Sequence, residues 1–282
     1  MTVKSRPWLA PAAAVYGAVA GGRAALYRAG IFRSYRPPCG VVCVGNLTVG
    51  GTGKTPMVEL VTKLLREMGF QPGIVSRGYK RDKGNSGDAL LVSDGARILA
   101  TAAEAGDEPR LLAELLPGTP VAVCANRRAA VKRLLSRELC DVIVMDDGFQ
   151  HFALQRDMDI VLVDAAEDLA AMRLLPAGPL RESVAAGLAR ATAVVHTRAG
   201  GKFEQANRAT VKRIAPNLPQ FSARFVPDRL VSLGAAPDAA PLSILKNIKV
   251  FAFAGVASPG NFFESLRTLG AWVTSYALPD HF

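Results

Sequence analysis

Apolar residues along this chain come in two spacings. Short apolar runs, rich in Val and Ile, recur at Val41–Val44, Gln71–Ser76, Val121–Ala125, Val142–Met145, Ile160–Val163 and Ala193–Thr197. Between them lie longer stretches of helical character, at about Pro56–Met68, Glu108–Leu116 and Ala129–Leu139. Continuous apolar strands separated by helices predict an α/β fold, a mostly parallel sheet with helices on both faces. After Pro219 the rhythm changes. Phe221–Phe225 and Leu230–Leu233 flank a Pro-Asp turn and read as a connecting hairpin, and Asp238–Pro241 reads as loop. Val250–Ala254 is then another strand, followed by a helix over about Asn261–Leu269. The pattern divides the chain into an N-terminal helical segment (1–36), a main domain (37–220) and a smaller C-terminal α/β domain (221–282).

Composition changes this picture in three places. With 282 residues, half of them apolar, the chain can bury a sizeable core and is no candidate for disorder. A net charge of +10 implies an anionic partner. The cations are scattered and aromatics do not interleave with them, which argues against nucleic acid. Four cysteines without a Cys-x-x-Cys pair suit a reducing compartment. The N-terminal segment carries no charge from Pro7 to Gly22, with Lys4 and Arg6 before it and Arg23, Arg28, Arg33 and Arg36 after. It is shorter than the ~20 apolar residues that span a bilayer, and Pro11 and Gly17 interrupt it. A basic, apolar helix of this kind is expected to lie on an anionic membrane surface.

Candidate chemistry starts at Val41–Thr55, VVCVGNLTVGGTGKT. A strand runs into a glycine-rich turn ending in Gly-Lys-Thr, and a helix follows. This is the layout of a P-loop for ATP, formed by Thr48, Val49, Gly50, Gly51, Thr52, Gly53, Lys54 and Thr55. Glycines let backbone N–H groups converge on phosphate, Lys54 reaches the terminal phosphates, and the Thr55 hydroxyl holds Mg2+. The usual first glycine is replaced by Thr48, so the assignment rests on context. A second acid is expected at the end of a neighbouring strand. Asp141–Gly148, DVIVMDDG, supplies Asp146 and Asp147. Asp146 is expected to be the metal ligand and Asp147 catalytic, with the order within the pair left open. Arg127 follows the strand Val121–Ala125, at the strand end where such sheets bind ligands, and Ser76 and Arg77 close another strand. Nothing downstream matches an Asn-Lys-x-Asp guanine selector, which favours a kinase or ATPase over a regulatory GTPase. A phosphotransferase acting on a soluble metabolite and a non-catalytic nucleotide-binding membrane protein are the alternatives.

These blocks resemble the tetraacyldisaccharide 4′-kinases. The matching segments are VGNLTVGGTGKTP (Val44–Pro56), SRGYKR (Ser76–Arg81), GDEP (Gly106–Pro109), DDGFQH (Asp146–His151), LLPAGPLRE (Leu174–Glu182) and a terminal PDH. The resemblance implies a P-loop NTPase-like core with a smaller C-terminal domain. It implies transfer of the ATP γ-phosphate to the 4′-hydroxyl of a tetraacyldisaccharide 1-phosphate lipid, at the cytoplasmic face of the inner membrane. Asp107 would be the base, with His281 paired to it, and Lys54 and Asp147 would complete the catalytic set. Ser76, Arg77, Arg127, Gln150, His151, Arg181 and Glu182 would bind substrate. No obligate protein partner is implied. Family members continue beyond the PDH element, so the C-terminal domain is expected to be incomplete here.

Overall fold

A computed structural model describes residues 6–78, 88–233, 238–256 and 259–279. The chain divides into two compact units, Thr2–Ala223 and Arg224–Phe282. The larger contains α1 (Ala10–Arg28), β1 (Gly40–Asn46), α2 (Lys54–Glu67), β2 (Pro72–Ser76), β3 (Leu90–Asp94) and α3 (Ala102–Ala105). Then follow α4 (Asp107–Leu115), β4 (Pro120–Val123), α5 (Arg127–Leu135), β5 (Val142–Asp146) and β6 (Met158–Asp164). It closes with α6 (Val184–Leu188), β7 (Ala193–Thr197), α7 (Glu204–Ile214) and β8 (Gln220–Ser222).

The eight strands form one sheet in the order β3-β4-β2-β5-β1-β6-β7-β8. Every pairing is parallel except β3 with β4. A parallel sheet must be covered on both faces, and the alternation within single strands does this. On β5, Ile143 and Met145 point into one core while Val144 points into the other. The first core takes Ala130, Val131 and Leu134 from α5 and Val211 from α7. The second takes Met57, Val58 and Val61 from α2 and Leu112 and Ala113 from α4. Each such side chain, fully buried, contributes about 1.5–3 kcal/mol if Val- or Leu-sized. This two-sided packing sets β1 and β5 side by side at the centre, so that their carboxyl ends, at Asn46 and Asp146, open in the same direction.

Two expectations are corrected. Phe221–Phe225 does not turn back as one arm of a hairpin; Gln220–Ser222 adds to the main sheet beside β7. Its backbone finds better partners on an open sheet edge than on a short free ribbon. The N-terminal helix is also unbroken. Pro11 lies in the first turn of α1, where its missing N–H leaves no ladder bond empty, and the helix runs on through Gly17. A Cβ at Gly17 would lie 2.8 Å from Leu174 Cδ1, so the glycine lets α1 settle on the 174–181 loop. The segment Pro7–Arg28 is long and apolar enough to cross a membrane by length and composition.

The smaller unit pairs β9 (Arg229–Val231) with β10 (Ala239–Pro241), antiparallel. It also pairs β11 (Lys249–Ala254) with β12 (Trp272–Ala277), in parallel, with α8 (Pro259–Thr268) between them in sequence. Leu245, Ala252, Phe263, Leu266 and Ala271 form its core.

Candidate active site

Strand β1 ends at Asn46, and the chain turns through Leu47–Gly53 into α2. Gly50 and Gly53 carry positive φ, +118° and +81°, which is the conformation that needs glycine here. Thr48 has no such requirement. It bridges antiparallel to Leu180 and is buried against Asn46, whose Nδ2 lies 3.5 Å from its hydroxyl. That accounts for a threonine where the common pattern has glycine. Asn46 Nδ2 also donates to Thr52 Oγ1 at 2.8 Å, bracing the loop from within. Neither the sequence pattern nor the motif spacing singled out Asn46. Lys54 opens α2, and its Nζ donates back to Gly50 O at 3.4 Å.

The two carboxylates after β5 diverge. Asp146 is 1% exposed; its Oδ2 accepts from Ser76 Oγ at 2.9 Å, and its Oδ1 has no hydrogen-bond partner among the described residues. Burial, aided by the negative charges of Glu108 and Asp147, pushes its carboxyl up to about 6. Asp147 adopts a left-handed backbone, φ +47°, with its N–H donating to Val44 O. This turns its side chain away from Asp146 and toward the cations. Arg181 holds it through both oxygens, at 2.8 and 3.2 Å, and Lys54 Nζ lies 4.0 Å from Oδ1. Burial alone would raise the Asp147 carboxyl, but Lys54, Arg181 and Arg127 outweigh it and hold it below the ordinary value. Gly45 makes room for this turn: a Cβ there would lie 2.6 Å from Phe149 Cβ.

Arg181 arrives because the 174–181 loop is stitched to the P-loop. Val49 N–H donates to Pro179 O, and Arg181 N–H donates to Leu47 O. Gln150 lies behind the pair. Its Oε1 accepts from Arg181 Nη1 at 3.2 Å, and its Nε2 donates to Asn46 O and to Glu182 Oε1. Glu182 is held through both oxygens by Arg190, at 2.7 and 2.9 Å, and Arg190 stacks over Phe149 at 4.4 Å. Arg190 was not visible as a site residue in the sequence.

Arg127, 4% exposed, opens α5, and its Nε lacks a partner among the described residues. Its charge acts on Asp147 and Asp146. His151 is driven down to about 4 by burial and by the cations Arg127, Arg23, Arg156 and Arg77, so it is neutral at physiological pH. Arg77 is exposed at the end of β2, and its charge reaches both Arg127 and His151. Asp107 is the first residue of α4, behind Gly106 (φ +92°), with an exposed side chain. The neighbouring Glu108 acts on Asp146, so this helix end belongs to the same charged neighbourhood. His281, and Tyr79 to Arg81 of the SRGYKR block, lie outside the described residues.

The donor set fits Mg2+ and a nucleotide phosphate. Among the described residues there is no cluster of three or more His, Cys, Asp or Glu that could cage a metal. Mg2+ in such sites is held by one hydroxyl and one or two carboxylates plus phosphate and water, which matches Thr55 and the unpartnered Asp146 Oδ1. A parallel sheet with a glycine-rich anion loop, a lysine at its helix and acids at the next strand's end defines a P-loop phosphotransferase.

The comparisons narrow that class. The family described as tetraacyldisaccharide-1-P 4′-kinase, LpxK, matches residues 5–282. A tetraacyldisaccharide 4′-kinase of Syntrophus aciditrophicus is 41% identical over 266 residues, covering 89% of this chain and 69% of that protein. One from Anaeromyxobacter dehalogenans is 42% identical over 275 residues, covering 96% and 71%. The crystal structure of the "apo" form of Aquifex aeolicus LpxK in complex with ATP superposes with a TM-score of 0.79 at 33% identity, covering 97% of this chain and 82% of that one. The chain belongs to the tetraacyldisaccharide 4′-kinase family, ATP-using kinases of lipid A biosynthesis.

Proposed function

We propose that this site transfers the γ-phosphate of ATP to the 4′-hydroxyl of a tetraacyldisaccharide 1-phosphate, with the residues above in defined roles. The observation that carries the reading is the meeting of Lys54, Asp146, Asp147 and Arg181 beside one phosphate loop, from α2, β5 and the 174–181 loop. The amides of Gly50–Thr55 receive the β- and γ-phosphates, and Lys54 and Arg127 offset their charge. Thr55 and Asp146 would hold Mg2+, which would further neutralise the phosphate oxygens. Asp147 holds Arg181 and Lys54 in register for the transferring group. Asp107 accepts the proton of the 4′-hydroxyl as its oxygen bonds to phosphorus and the bond to the β–γ bridging oxygen breaks, releasing ADP. Ser76 fixes Asp146, while Arg77, Gln150, neutral His151 and Glu182 line the acceptor side.

The N-terminal helix supports action at an anionic membrane surface, the cytoplasmic face of the inner membrane. Trp8, Val15 and Val19 are 75%, 65% and 67% exposed, an apolar row without cover in the core unit. The test is phosphoryl transfer from labelled ATP to tetraacyldisaccharide 1-phosphate in mixed micelles. Asp107→Ala is expected to slow turnover by about 10²-fold or more, with ATP affinity near wild type. A product that forms without the acceptor, or a large loss of ATP binding in Asp107→Ala, refutes the assignment.

A further inference from the structure

Beyond the residues assigned above, a guanidinium reaches the phosphate loop from outside. Arg198 follows β7 in a left-handed backbone conformation, φ +54°, uncommon for a residue with a Cβ. Its Nη1 donates to Asp164 Oδ2 at 2.5 Å, and its Nη2 donates to the Gly51 carbonyl at 3.2 Å. Asp164 ends β6 and is buried; its other oxygen accepts the Ala166 N–H at 2.9 Å. Asn207 of α7, fully buried, fastens the same corner. Its Nδ2 donates to the carbonyls of Asp164 and Glu167, and its Oδ1 accepts the Leu169 N–H. The guanidinium is therefore held by a carboxylate that is itself fixed. A solvated surface ion pair would not need that support, nor would it reach across 147 residues of sequence to a loop carbonyl.

A trans peptide is planar, with its C=O and N–H pointing in opposite directions. Holding the Gly51 carbonyl therefore aims the Thr52 N–H away from Arg198. From the other side, Asn46 Nδ2 holds Thr52 Oγ1 at 2.8 Å. The ladder of α2 begins with Met57 N–H donating to Gly53 O, so the Thr52 amide lies upstream of it, among the donors a phosphate meets. Gly51, on the carbonyl side, makes this peptide plane easier to rotate, and a fixed donor to its carbonyl removes that freedom. We propose that Arg198, oriented by Asp164, is a positioning residue that sets the Gly51–Thr52 peptide for the β-phosphate of the nucleotide.

The proposal rests on the nucleotide reading of the loop, and wild-type binding of Mg-ADP tests that reading separately. Wild type, Arg198→Ala, Arg198→Lys and Asp164→Asn are titrated with Mg-ADP and with AMP, and kcat and KM for ATP are measured. Arg198→Ala is expected to weaken Mg-ADP about tenfold, the scale of one charge-assisted hydrogen bond, and to leave AMP unchanged. KM for ATP rises by a similar factor while kcat falls less than about threefold. Arg198→Lys recovers part of the loss, and Asp164→Asn shifts the same way by less. Unchanged Mg-ADP affinity in Arg198→Ala overturns the proposal. An equal loss for AMP also overturns it, by moving Arg198 from the loop to the nucleoside. Should Arg198→Ala fail to fold, unaltered Mg-ADP affinity in both Arg198→Lys and Asp164→Asn overturns it in the same terms.

Discussion

Asp146 is a carboxylate placed where the apo protein is better off without its charge. Its carboxyl moves from 3.8 to about 6, chiefly by burial, then by Glu108 and Asp147. Between those values the folded chain keeps a proton that the unfolded chain has lost. Stability therefore falls as pH rises through about 4 to 6, and above that window the full penalty remains, about 3 kcal/mol. Asp146→Asn removes the charge. Its amide oxygen can still accept from Ser76, but its NH2 takes the place of the unpartnered Oδ1. A buried donor left without a partner costs about 1–2 kcal/mol. The net expectation at pH 7.5 in EDTA is a variant about 1–2 kcal/mol more stable, or about 2–4 °C in Tm. At pH 4.5 the advantage disappears or reverses, because folded wild type then keeps its proton and only about 1 kcal/mol of its penalty remains, against about 1–2 for the orphan amide. Thermal and urea unfolding of both proteins across this range, without nucleotide, measures it. Adding Mg-ADP is expected to stabilise wild type and to give the variant little Mg2+-dependent gain. A variant less stable at pH 7.5, or a difference that does not change with pH, refutes the reasoning.

Two further expectations use other parts of the unit. Arg190→Met leaves Glu182 nearly buried without its bidentate partner, and is expected to cost about 3–5 kcal/mol in urea unfolding. Glu182→Gln added to it should recover a large part, and full additivity of the two would count against the ion pair. Replacing Trp8, Val15 and Val19 by Ser is expected to lower partitioning onto vesicles containing anionic phospholipid at least about tenfold, while ADP binding stays intact. Equal partitioning of the two proteins would remove α1 from the membrane contact.

Much of the core was legible because local patterns and global packing agree in it. Val41–Val44, the glycine turn and the following helix announce a strand, an anion loop and a covering helix from local composition alone. β3 escaped notice: Leu90–Asp94 is short, half-exposed at its ends and antiparallel at the sheet edge, so no long apolar run marks it. α7 was missed for a related reason, since only Asn207 and Val211 of its eleven residues are buried. β8 was misassigned because its partner, β7, is set by tertiary proximity, whereas a Pro-Asp turn suggests a nearby one. In the site, residues within motifs were found and their supports were not. Asp147 is visible in DDGFQH, but nothing local says that its partner lies 34 residues on, in the 174–181 loop. Asn46 and Arg190 act through contacts that exist only once β1, the P-loop and α6 are side by side.

The fastening of α1 has a mechanical consequence. Tyr16 donates to the Arg181 carbonyl at 3.0 Å, Arg6 N–H donates to Ala177 O, and Gly17 lies against Leu174. These three attachments fall on the loop whose guanidinium grips Asp147. The helix is thus a rigid mount and not a slack leash. Whatever surface receives its outer face, the height and tilt of the cleft above that surface are dictated by side-chain contacts a few ångströms long.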